Sequence, residues 1–236
     1  MNPDRPLDEW WLADWANGPA APADPEPPAR ARPPFLEPRT AAARVELVAR
    51  RALDDAARAR DGLDWYENAR RFCAGIGRPY GLSVESTAGA LAALSPQVSW
   101  DVQTAWAPAI LDAWKQGAPI LPGPGYGRNR AKAARILDGA PPLDVLGGPK
   151  VRAFYRSIVS AGATDAVCID RHAWAIAGGG PALKLTDKRY REAARAYVDA
   201  AAALRAAFPE LAPSLTAARV QALTWVWWRD NAADRF

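Results

Sequence analysis

The chain has 236 residues, half of them hydrophobic and 24% charged, with 30 Lys and Arg against 26 Asp and Glu for a net charge of +4. That length buries a full core as one large domain or two small lobes, in a composition typical of globular proteins. Two cysteines are too few for a disulfide framework or a four-thiolate iron–sulfur cluster, and a single histidine excludes an H-E-x-x-H zinc site.

No apolar run reaches the roughly 18 residues that read as a membrane span. The start, MNPDRPLDEWW, lacks the basic and apolar regions of a secretion signal, so a cytoplasmic protein without a membrane partner is expected. Nothing in the sequence calls for a metal or an organic cofactor.

Residues 1–16 carry Trp10, Trp11 and Trp15 behind Asp8, a possible helix cap, and this patch is expected to dock on the chain itself or on a protein partner. Residues 17–38 hold eight of the 22 prolines and read as an extended arm. The expected division is therefore a Trp-containing arm at 1–38 and a helical domain at 39–236. Thr40 can cap a helix running to about Arg60, with Val45, Leu47, Val48 and Leu53 as its apolar stripe. A second helix is predicted over 64–76, ended by Gly75 and Gly77 with Pro79 beyond. A third covers 83–94, and SPQVSWDVQTAW then breaks and restarts a helix that carries Pro96 in its first turn and runs to about Gln116.

After a Gly/Pro-rich loop at 117–126 comes a basic helix at 128–137. A turn at 143–148 and a helix at 151–161 follow. The apolar triplet Val167, Cys168, Ile169 leads to Asp170, the expected N-cap of a helix at 170–177, with Arg171 and His172 just behind it. Long helices at 187–208 and 216–229 complete the chain. Beyond the triplet there is no β-alternation and no solenoid repeat, so an all-α fold of roughly eight to ten helices is expected.

Lys150 follows the turn Gly147-Gly148-Pro149, and Asp170 stands twenty residues on; two adjoining helices could aim them into one cleft. An amine and a carboxylate facing each other suit nucleophilic or acid–base chemistry. The stretch GYGRNRAKAAR (125–135) has four cations and no acid, and Lys150, Arg152 and Arg156 extend it into a belt. Such a belt is either a phosphate-binding face or a solvated helix face. Each residue also has a plainer reading. Asp170 can be only a cap, Lys150 only solvated, Gln97 part of a turn and His172 a packed or surface histidine. The tryptophans of TWVWWRD (224–230) can be core, with Trp225 and Trp228 on one face and Trp227 on another.

Four segments, in order, resemble the helix-hairpin-helix (endonuclease-III-like) DNA glycosylase superfamily. ALAALSPQVSWD (90–101) is similar to its "LSAQTTD" segment, GYGRNRAKAARIL (125–137) to "GFY..KA..I", LGGPKVRAFYRSI (146–158) to "LPGVGRKTA", and VCIDRHAWAI (167–176) to "AVDTHVRRV". The resemblance implies a two-lobed helical fold with a helix-hairpin-helix element, acting on DNA. It places the lysine nucleophile at Lys150, the catalytic aspartate at Asp170 and the gap-filling residue at Gln97. Gly147 and Gly148 would approach a phosphate, joined on the DNA face by Arg128, Arg130, Lys132, Arg152 and His172. Trp100, Tyr126 and Trp174 would stack on a base in the pocket.

The hairpin departs from the family pattern by being two residues shorter, with Pro149 directly before the lysine, and the iron–sulfur loop of some relatives is missing. The implied activity is removal of a flipped modified or damaged base, with or without lysine-dependent strand cleavage. The resemblance also extends to phage enzymes that add an amine to an activated thymine-type base, which would place the protein in a phage-infected cell. A non-catalytic DNA-binding or protein-interaction domain is the third expectation.

Overall fold

The computed structural model describes residues 38–119, 127–180 and 183–231, which contain eleven α-helices and no strand. The Trp-rich arm at 1–37 lies outside the described residues. Helix α1 (Pro38–Leu53) buries Val45, Val48, Ala49 and Ala52 at helical spacing. Leu47, expected in that stripe, falls off the face and stands 44% exposed. The helix expected to continue to Arg60 stops at Leu53, because Asp55 caps a new one: its carboxylate accepts the backbone N–H of Ala57 and Arg58 at the start of α2 (Ala56–Leu63).

α3 (Trp65–Gly77) and α4 (Val84–Leu94) follow, the latter capped by Ser83. Residues Thr87–Leu94 of α4 are all buried, so this helix has little solvent face and runs through the interior. Its Gly89 allows that: a Cβ there would lie 2.8 Å from Pro142 and 3.0 Å from Ile136. α5 (Trp100–Lys115) begins at its cap Ser99, so Pro96 lies in the preceding turn and not in the helix as expected.

α6 (Gly127–Leu137) is the basic helix. The expected turn at 143–148 contains a one-turn helix, α7 (Pro142–Val145), and Leu146–Gly148 then joins it to α8 (Pro149–Val159). α8 starts two residues earlier than predicted. Pro149 occupies its first position, where the missing N–H costs nothing, and Gly148 takes φ +73° to make the turn. The chain ends with α9 (Arg171–Ile176), α10 (Asp187–Ala207) and α11 (Ala217–Asp230).

Two hydrophobic clusters form. One gathers Val45, Val48, Ile169, Ile176, Tyr197 and Leu204, from α1, α9, α10 and the segment before α9. The other gathers Cys73, Leu91, Leu94, Ile110, Ile136 and Ile158, from α3 to α6 and α8. α11 serves both: Val220, Leu223 and Trp227 face the first and Ala218 and Ala222 the second. Trp228 is buried in the first cluster beside Trp227, whereas Trp225 is half-buried at the seam between the two.

Candidate functional site

Asp170 is held from both sides. Among the described residues the triplet before it lies in no helix or strand; the Tyr190 hydroxyl donates to Val167 O (2.7 Å) and accepts from Ile169 N (3.4 Å). Tyr197, two turns along α10, donates to Ala173 O (3.2 Å) just after the cap. The Asp170 Oδ1 accepts from His172 N (2.9 Å) and Ala173 N (2.8 Å), and Oδ2 accepts from the Trp225 indole (3.0 Å). The cap reading is therefore correct as local structure. A carboxylate has about four lone-pair positions, so Oδ2 keeps one that no described residue fills.

Lys150 is the second residue of α8 and half-buried. Helical spacing puts it on the same face as Phe154. Its ammonium and the Asp170 carboxylate act in opposite senses on one neighbour, the Cys168 thiol, which burial pushes up to about 12. The place beside Cys168 is thus within electrostatic reach of both charges, from Asp170 two residues along the chain and from Lys150 in the first turn of α8.

Around that place stands a wall of half-buried rings. Trp65 contacts Trp100 (5.2 Å between centroids), Phe154 (6.1 Å) and Trp225 (6.0 Å), and Phe154 reaches Trp100 at 6.2 Å. Trp225 also meets the His172 ring edge at 6.4 Å and carries the Arg229 guanidinium 4.7 Å over its face. Trp65, Phe154 and Trp225 were not among the expected pocket residues. Phe154 had a signal, four residues after Lys150; Trp65 and Trp225 are brought in only by the packing of α3 and α11 at the seam.

The other expected residues separate into groups. Gly147 and Gly148 are exposed at the turn before α8, and the Lys132 ammonium lies 3.4 Å from where a Gly147 Cβ would stand. Arg152 donates through Nη1 to the carbonyls of Leu143 (2.7 Å) and Leu146 (3.1 Å), fastening the turn to α7. Arg128 is exposed and Arg130 half-buried on α6. Gln97 is exposed with φ +65°, a left-handed backbone that glutamine rarely adopts. His172 accepts from Arg171 Nε at 3.3 Å.

Trp174 belongs elsewhere. It is 6% exposed inside the first hydrophobic cluster, because it lies four residues past the cap on the inward face of α9. Tyr126 lies outside the described residues. Among the described residues no group of three or more His, Cys, Asp or Glu converges as metal ligands would, and no helix is long and apolar enough to cross a membrane.

Comparison with known proteins adds one finding. A family model described as a family of unknown function (DUF7178) matches residues 36–232. Neither the curated proteins nor the solved structures yield a significant match.

Proposed function

The chain belongs to this family of unknown function, DUF7178, and we propose that it is a DNA-acting enzyme of the glycosylase type, working on a base flipped out of the helix. The observation that carries the reading is the half-buried aromatic wall joined to Asp170 through the Trp225 indole, with Lys150 within electrostatic reach of Cys168 two residues before that aspartate. Two features support its DNA side. The arrangement of α7, Leu146–Gly148 and α8 is read as the helix-hairpin-helix element, and the two hydrophobic clusters as the two lobes. Lys132 beside Gly147 supplies a cation where the turn's backbone N–H groups would meet a phosphate.

Flipping a base costs a few kcal/mol, and aromatic stacking returns about 1–3 kcal/mol per base. Trp100 and Trp65 are the rings assigned to that contact. Once the Lys150 ammonium has given a proton to water, its amine attacks C1′; the glycosidic bond breaks as the C1′–Nζ bond forms, and the departing base takes the electron pair and a proton from solvent. Loss of the amine proton and opening of the sugar give an imine. Asp170 stabilises the positive charge that grows on the sugar, through the lone pair of Oδ2 left unfilled, while the Trp225 indole fixes its orientation.

The test is a panel of duplexes carrying uracil and oxidised, alkylated or 5-substituted pyrimidines, followed for released base and for strand mass. Asp170→Asn keeps a capping side chain and is expected to lower base release by about 100-fold or more while DNA binding survives. Lys150→Ala is expected to abolish the covalent complex trapped by borohydride; full trapping by that variant removes the lysine from the mechanism. Intact strands that gain the mass of a supplied amine assign the same cleft to base modification instead.

A further inference from the structure

Behind the hairpin, on the side of α8 away from Phe154, a cleft of about 530 Å³ opens between α8, residues 165–167 and α10. Its floor is apolar, from Ala153, Val167 and Ala194, and its rim is cationic. Arg152 and Arg156 stand one turn apart on α8. Helical spacing places the exposed Arg191 one turn before Ala194 on the α10 side. Arg152 is already fixed in place by the carbonyls of Leu143 and Leu146. Arg156 is exposed, and its side chain makes no hydrogen bond or ion pair among the described residues. The acid lining the cleft, Asp165, accepts the Ala217 backbone N–H through Oδ1, at 3.1 Å. Gly148 lines the same cleft, and a Cβ on it would meet nothing within 4 Å, so the cleft is open toward the hairpin.

We propose that this cleft is a second phosphate seat, one that receives the backbone of the bound nucleic acid strand next to the phosphate at Gly147–Gly148. The inference rests on the DNA-acting reading above and extends it to Arg156 and to the apolar floor beside it. The chemistry favours a polyanionic strand. Arg152 and Arg156 on one wall supply guanidinium donors for phosphate oxygens, while a shallow apolar floor suits the sugar between phosphates. A strand that passes Lys132 and Gly147 reaches Arg156 with no acid other than Asp165 among the lining residues of the cleft.

The experiment is anisotropy titration of a fluorescent duplex over a range of NaCl concentrations, with wild type, Arg156→Gln and Arg71→Gln. Arg71 is an exposed arginine paired with Glu67 on α3, away from the cleft, and serves as the control. Each phosphate contact contributes about 0.9 to the log–log salt slope, so Arg156→Gln is expected to reduce the slope by about one unit. Arg71→Gln is expected to leave it unchanged. A wild-type slope retained in Arg156→Gln overturns the second seat while the DNA reading stands. No binding by wild type at low salt overturns both. Thermal unfolding of Arg156→Gln, expected at the wild-type temperature, separates a lost contact from a damaged fold.

Discussion

Asp170 shows how one residue answers to two levels of structure. Its capping bonds to His172 and Ala173 follow from local sequence, since an aspartate before a helical run accepts the first N–H groups. Its third bond, from Trp225, comes from a residue 55 positions away and could not be read locally. Trp225→Phe keeps the ring and removes the donor. It is expected to cost about 1.5–3 kcal/mol, the range for a hydrogen bond to a charged group, and, on the proposed chemistry, to lower turnover while the cap persists. Thermal unfolding beside single-turnover kinetics checks both; unchanged turnover would show that the indole does not orient the carboxylate. Lys150 and Asp170 were legible as candidates because glycine turns and N-caps have sequence signatures. Trp174 was not placed correctly, since its inward direction depends on which face of α9 the protein buries.

At the scale of elements, the boundaries that were legible are those set by caps. Ser83, Thr186 and Thr216 each accept an N–H from the first turn of a helix that the sequence places within a residue, whereas Ser99, the cap of α5, lies three residues past the Pro96 at which the sequence suggests a start. The missed break between α1 and α2 is of the same kind: Asp55 is a cap inside a stretch whose Ala and Arg content otherwise favours one continuous helix. Glycines divide by their surroundings. Gly89→Ala drives a methyl into Pro142 and Ile136 where α4, α6 and α7 meet, and is expected to cost about 1–3 kcal/mol. Gly75→Ala, on α3 with nothing within 4 Å, is expected to stabilise by about 0.4–1 kcal/mol. Urea midpoints of the two variants should move in opposite directions; a shift of the same sign in both would contradict this account of α4 packing.

At the scale of the whole molecule, burial fixes the pH range of stability. Burial pushes the thiols of Cys73 and Cys168 from the usual 9.0 up to about 12, and it also raises buried Tyr66, Tyr190 and Tyr197. A group whose folded pKa is raised holds its proton more tightly in the folded state. The stability it contributes is complete below its unfolded pKa and is lost as pH rises through the folded one. The protein is thus expected to lose stability progressively from about pH 9 toward pH 12, as seen by denaturant unfolding at fixed salt. Cys73→Ala, which removes one such group, should flatten the first part of that decline. By itself the sequence determined the helical class, most helix starts and the basic helix, and it put forward Lys150 and Asp170 as candidates, because periodicity, caps and charge are properties of neighbours along the chain. Only the tertiary structure decided that α11 joins two hydrophobic clusters, that Trp65, Phe154 and Trp225 gather beside Asp170, and that a cleft with Arg152 and Arg156 on one wall opens behind the Gly147–Gly148 turn. Those features depend on contacts between residues far apart in the chain, and which faces meet is settled when apolar area is buried across the whole fold.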